Sequence, residues 1–134
     1  MSQPISDLTL LLRSMEPRLN PGVYVFASVP AGTDLAGITA IATFREAEGM
    51  TVVAEESEAA RANLPVRFRA AWITLGVHSD LEAVGLTAAF AAALARANVS
   101  CNVMAAVYHD HIFVPIESAG LAIERLRALQ RGTE

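Results

Sequence analysis

All three histidines and two of the four aspartates of this 134-residue chain fall in two short stretches, His78-Ser79-Asp80 and Tyr108-His109-Asp110-His111. These residue types exchange protons near neutral pH, accept hydrogen bonds from cationic groups and ligate metals. His109 and His111 suit a pair of metal ligands, with His78 or Asp80 adding more; the plainer reading is a polar hairpin turn with solvated histidines. Ser79-Asp80-Leu81-Glu82 fits a capping box, so Ser79 and Asp80 also have a structural reading as helix-start residues. Cys101 is the sole cysteine and reads as a small core residue near the start of a buried strand, at the end opposite the histidines. Glu46 and Glu48 sit in a turn, where solvation explains them better than a cationic partner. The chain has no nucleophile-elbow spacing and no GxGxxG. No catalytic constellation emerges, so the chain reads as a non-enzyme with no catalytic residues, no metal and no cofactor.

The elements that would position these residues follow from periodicity. Leu8, Leu11, Leu12 and Met15 mark one face of a short helix, capped by Ser6 or Asp7 and stopped by Pro17 and Asn20-Pro21-Gly22. Val23–Val29 predicts a strand. Ile38–Phe44 and Met50–Ala54 predict a strand pair around a hairpin turn at 45–49. Glu55–Ala62 predicts a short helix ended by Asn63 and Pro65. Pro65 is the best internal boundary, dividing the chain into residues 1–64 and 65–134. Beyond it, Val66–Val77 predicts a long strand and Leu81–Ala97 a helix with Val84, Leu86, Phe90, Ala93 and Leu94 inward. Val99–Val107 and Ile112–Val114 predict strands around a reversal at 108–111. Ile116–Gln130 predicts a closing helix with Ala119, Ala122, Ile123, Leu126 and Leu129 inward.

The second half therefore reads β-α-β-β-α, a ferredoxin-like order whose last strand is missing or supplied elsewhere. Two strands joined by a right-handed crossover run parallel, so their C-terminal ends share one edge of the sheet. That rule brings His78-Ser79-Asp80, the turn Tyr108–His111 and the start of the intervening helix to the same edge. The helix start offers unpaired N–H groups and a positive dipole end, and Gly85 permits close approach of a backbone or ligand.

Composition narrows the function further. Ten basic residues, all arginine, stand against 14 acidic ones, for a net charge of −4. This argues against nucleic-acid and anionic-membrane partners, which need a basic patch. The absence of lysine removes Schiff-base chemistry and the P-loop. Hydrophobic residues make up 53% and charged ones only 18%, below the usual ~25%, as expected if another copy of the chain covers part of the surface. The N-terminal residues carry no signal-peptide pattern, and the longest low-charge run, Ala83–Leu94, falls short of the ~20 residues that span a bilayer. The expectation is a cytoplasmic homodimer or higher homo-oligomer.

Three stretches resemble the ACT domain family, in particular stand-alone tandem proteins similar to the amino-acid-binding regulatory region of aspartate kinase. They are Asp80–Leu86, an acid-to-glycine approach into a helix; Ala97–Ser100, a helix end and small-residue turn; and Tyr108–Pro115, a hairpin whose strand ends in Val-Pro. Leu11–Met15, Tyr24–Phe26 and Thr43–Thr51 resemble a divergent companion module. The resemblance implies an α+β fold of two ferredoxin-like βαββαβ modules, antiparallel sheets with helices on one face. It further implies binding of a small amino-acid-like ligand at the strand-to-helix loop, and regulation of another protein rather than catalysis. Asp80, Gly85, Leu86 and Asp110 match the family pattern; the histidines at 109 and 111 depart from it. The expected ligand site comprises His78, Ser79, Asp80, Gly85, Leu86, Tyr108, His109, Asp110 and His111. A ligand-free interaction domain, or a histidine-based metal protein, is the alternative.

Overall fold

The computed structural model describes residues 7–133. Helix α1 (Leu8–Ser14) begins at Asp7, whose Oδ1 accepts from the Leu10 N–H at 2.9 Å; Ser6, the other expected cap, lies outside the described residues. Leu11 and Met15 are fully buried, while Leu8 and Leu10 stay exposed. Pro17 does more than stop this helix. Pro17–Leu19 forms strand β1, pairing antiparallel with residues 73–75 of β5 (Val66–Leu75). Proline is tolerated there because the first residue of a strand need not donate to the ladder.

The chain packs as two compact units. One unit joins the residues up to Asn20 to those from Trp72 onward; the other is the segment Pro21–Ala71 inserted between them. Pro65 lies inside the inserted segment, just before β5, and β5 itself passes from one unit into the other.

In the inserted unit, β2 (Tyr24–Val29), β3 (Ala40–Glu46) and β4 (Gly49–Glu55) are followed by α2 (Glu56–Arg61), and the strand order is β3-β4-β2-β5. Strand β4 is sandwiched antiparallel between β3 and β2, and Val52, Val53 and Ala54 are fully buried. The expected hairpin turn tightens to Ala47-Glu48, and it forces a glycine. Gly49 has φ +152°, and a Cβ on it would lie 2.6 Å from the Val29 carbonyl oxygen.

In the terminal unit, α3 (Leu86–Arg96), β6 (Asn102–Ala105), β7 (Asp110–Pro115) and α4 (Ala119–Arg131) follow β5. β7 lies between β5 and β6 and runs antiparallel to β6, with Met104 opposite His111. The β5-α3-β6 crossover therefore skips one strand, as the split βαβ requires. Helices α1, α3 and α4 pack against one another. Leu86, Phe90, Ala93 and Leu94 of α3 and Ala122 and Leu126 of α4 are buried, following the helical period. α3 ends as the sequence suggests, with Asn98 at φ 60° and the Val99 N–H bonded back to the Leu94 carbonyl.

Its start differs from expectation. The predicted helix from Leu81 begins only at Leu86, because Gly85 takes φ +106° and ends any helical path through it. Ser79 caps nothing; Asp80 Oδ1 instead accepts from the Glu82 N–H, closing a local turn. Val84, expected inward, is 83% exposed as a result.

Gly49→Ala brings a methyl group against a backbone carbonyl that has no freedom to retreat. It is expected to lower stability by roughly 1–3 kcal/mol, read as a fall in the thermal unfolding midpoint. An unchanged midpoint contradicts the packing described for this hairpin.

Candidate functional site

Two segments of the terminal unit meet at the C-terminal end of β5: the loop from Gly76 to Gly85 and residues 106–110, the β6–β7 turn with the first residue of β7. Hydrogen bonds and a ring contact join them. Ser79 Oγ donates to Asp110 Oδ2 at 3.2 Å, and both residues are only 6% exposed. His109 Nδ1 lies 3.1 Å from the Val77 carbonyl oxygen; a carbonyl only accepts, so Nδ1 carries the ring proton. The His78 and Tyr108 rings meet at a centroid distance of 5.3 Å.

Behind this clasp is a cavity of about 50 Å³ lined by Ser79, Asp80, Leu81, Ala83, Leu86, Thr87, Ala105 and Asp110. Its polar character has two signs. Asp80 and Asp110 supply carboxylates. The first turn of α3 has N–H groups without intrahelical acceptors, and Gly85 at its N-cap has no side chain to cap them. No arginine lines the cavity.

The expected site residues separate into four places. Ser79, Asp80, Leu86 and Asp110 line the cavity. His78 and Tyr108 touch each other beside it, and His109 is committed to Val77. Gly85 adjoins the cavity, but the space beside its Cα is not free for a ligand: a Cβ there would lie 2.9 Å from Cδ2 of Leu8. His111 makes its hydrogen bonds elsewhere, to Trp72 and Thr74 of β5. Burial, then its neighbours His109 and Arg18, hold its imidazole below the ordinary histidine value, against the opposing pull of Asp110. Leu81, Ala83, Thr87 and Ala105 are cavity residues that the sequence reading missed. Thr87 becomes visible as one only when the helix start is moved to Leu86.

Among the described residues, no three His, Cys, Asp or Glu side chains converge to hold a metal ion. Burial pushes the Cys101 thiol up to about 11, which disfavours the thiolate. No helix among the described residues is long and apolar enough to cross a membrane.

Gly85→Ala is expected to destabilise the ligand-free protein for two separable reasons, the positive φ and the contact with Leu8. Combining it with Leu8→Ala relieves the contact and leaves roughly 1–2 kcal/mol from the left-handed backbone. Denaturant unfolding of the single and double variants tests this, and equal stability of Gly85→Ala and the parent contradicts it.

The comparisons with known proteins extend the geometric picture. An ACT domain model matches residues 3–71, and a second ACT domain model matches residues 67–128. None of the curated proteins matches the chain. A Vibrio cholerae protein of unknown function, described as a possible transport protein, is similar in structure. It shares 50% identity over 92% of this chain and 95% of its own, with a TM-score of 0.83. The regulatory subunit of aspartate kinase from Thermus thermophilus shares the fold at 13% identity and a TM-score of 0.64, over 84% of this chain and 95% of its own. An Agrobacterium tumefaciens protein, Atu0741, does so at 13% identity and 0.68, over 85% and 87%. With one family model covering more than half of the residues and a second following in tandem, this chain belongs to the ACT domain family.

Proposed function

We propose that the protein is a non-catalytic regulatory module that binds a small amino-acid-like ligand at the Ser79–Asp110 cavity and acts through another protein. One observation carries this reading. The buried Asp110 and the first residues of α3, Leu86 and Thr87, line the same small cavity. An ammonium group needs an anion, and Asp110 or Asp80 supplies it; a carboxylate needs donors, and the first N–H groups of α3 supply them without a cationic side chain. About 50 Å³ is several times the ~10–15 Å³ that a single water molecule requires in a cavity. The cavity thus suits the zwitterionic head of a ligand whose side chain extends past Leu81 toward solvent. The shared fold of the aspartate kinase regulatory subunit is consistent with regulation.

Self-association completes the proposal. Leu81, Val84, Val107 and Tyr108 are 62, 83, 61 and 49% exposed, all in the two segments that form the clasp. Large apolar side chains concentrated in this way favour burial against a partner, and a second copy in a cytoplasmic homo-oligomer is the proposed one. The same observation supports the second reading, an assembly module with no ligand.

Thermal shift with a panel of amino acids separates the two readings. A ligand at ~100 times its Kd adds ~2.7 kcal/mol of stability. Asp110→Asn keeps the shape of the site and removes a charged hydrogen bond of ~1.5–3 kcal/mol, so calorimetry should record affinity weakened by ~10-fold to ~150-fold. A panel without any stabilising member, or a ligand indifferent to Asp110→Asn, overturns ligand binding. Sedimentation at micromolar concentration is expected to give a species heavier than the 14.2 kDa monomer; a monomer alone overturns the self-association.

A further inference from the structure

The hydrogen bonds of His111 run in one direction. Trp72 Nε1 lies 3.0 Å from His111 Nδ1, and Thr74 Oγ1 lies 3.1 Å from the same nitrogen. An indole N–H donates and cannot accept, so Nδ1 must be unprotonated and the ring proton must sit on Nε2. The Thr74 hydroxyl accepts from Asn20 Nδ2 at 2.9 Å, which leaves its own proton for His111. Asn20 also donates to the Trp72 carbonyl, from its side chain at 3.1 Å and from its backbone N–H at 2.9 Å. Two donors thus converge on one imidazole lone pair, and Thr74 is only 2% exposed. Asn20 and Trp72 are also the residues at which the chain leaves and re-enters the terminal unit.

We propose that Asn20, Thr74, His111 and Trp72 form an acid-released latch, closed while His111 is neutral and opened by its protonation. A second ring proton would place an N–H donor on Nδ1, facing the Trp72 N–H and the Thr74 hydroxyl, and the acceptor that closes the network would be gone. The charged groups around the ring set where this happens. His109 in the β6–β7 turn and Arg18 on β1 oppose the imidazolium, and Asp110 at the start of β7 favours it. The residue facing His111 from β6 is the uncharged Met104, and β5 contributes the uncharged Trp72 and Thr74. Burial adds to the opposition, so the neutral form is favoured below the ordinary histidine range of ~6.5. The sign of the linkage follows. A histidine depressed in the folded state contributes stability above the unfolded value, and that contribution is lost as pH falls through the folded value.

Trp72 is the only tryptophan, so its emission reports the latch directly. Titrating the full chain from pH 8 to 5, with circular dichroism to confirm that it stays folded, is expected to show one reversible transition with a midpoint below 6.5. His111→Gln keeps an acceptor that does not titrate and should abolish the transition. His109→Gln should retain it and move it to higher pH. A flat response of the parent protein, a midpoint at or above 6.5, or a transition that survives in His111→Gln overturns the proposal. Nitrogen NMR of the parent protein at pH 8 gives a reading that depends on no variant. An Nε2-protonated His111 ring is expected, and an Nδ1-protonated ring overturns the latch.

Discussion

A carboxylate taken out of water must be given hydrogen bonds, or its burial costs several kcal/mol. Asp110 opens β7 at 6% exposure, and Ser79 is the side chain that reaches it. Much of the local architecture is arranged around that contact. For Ser79 to meet Asp110, the chain leaving β5 has to turn across the sheet edge before any helix can begin. Asp80 closes a turn onto Glu82, and Gly85 swings into the left-handed region to set the direction of α3. The helix consequently starts with no side-chain cap, its first N–H groups beside the cavity that Asp110 lines. Charge burial, loop path and helix position are three aspects of one constraint.

The two-residue period of a strand does the remaining sorting. Successive side chains point to opposite faces, so Asp110 faces the cavity while His111 faces Trp72 and Thr74. Two adjacent residues therefore take part in unrelated chemistry, one a hydrogen-bond acceptor for Ser79 and the other for an indole. The aromatic contacts follow the same rule: Trp72 stacks on Phe113 at 6.1 Å, two residues along from His111. Asp110 and His111 remain linked electrostatically through the one strand they share.

The sequence made the crossover legible, and with it the meeting of the 76–85 loop and the β6–β7 turn, because apolar periodicity and connection handedness are local or topological rules. Details decided by tertiary partners were not legible. Ser79-Asp80-Leu81-Glu82 satisfies the local pattern of a capping box, and only the buried Asp110 shows why Ser79 is used elsewhere. Pro17-Arg18-Leu19 carries no strand signal; its partner residues on β5 make it one. Gly85 announced a special backbone, but the side chain beside it belongs to Leu8, far away in sequence. The histidine pair at 109 and 111 suggested joint action. Each ring is instead committed to a different partner, and no spacing rule identifies Val77 or Trp72 as that partner.

The proposed site offers a carboxylate and helix N–H groups to a zwitterion from one small cavity. Amide NMR spectra of the full chain, recorded with each of the common amino acids in turn, test it most directly. At least one of them is expected to shift the backbone amides of Leu86, Thr87 and Asp110 together and saturably. Saturable shifts confined to other parts of the chain, or none with any amino acid, would contradict it.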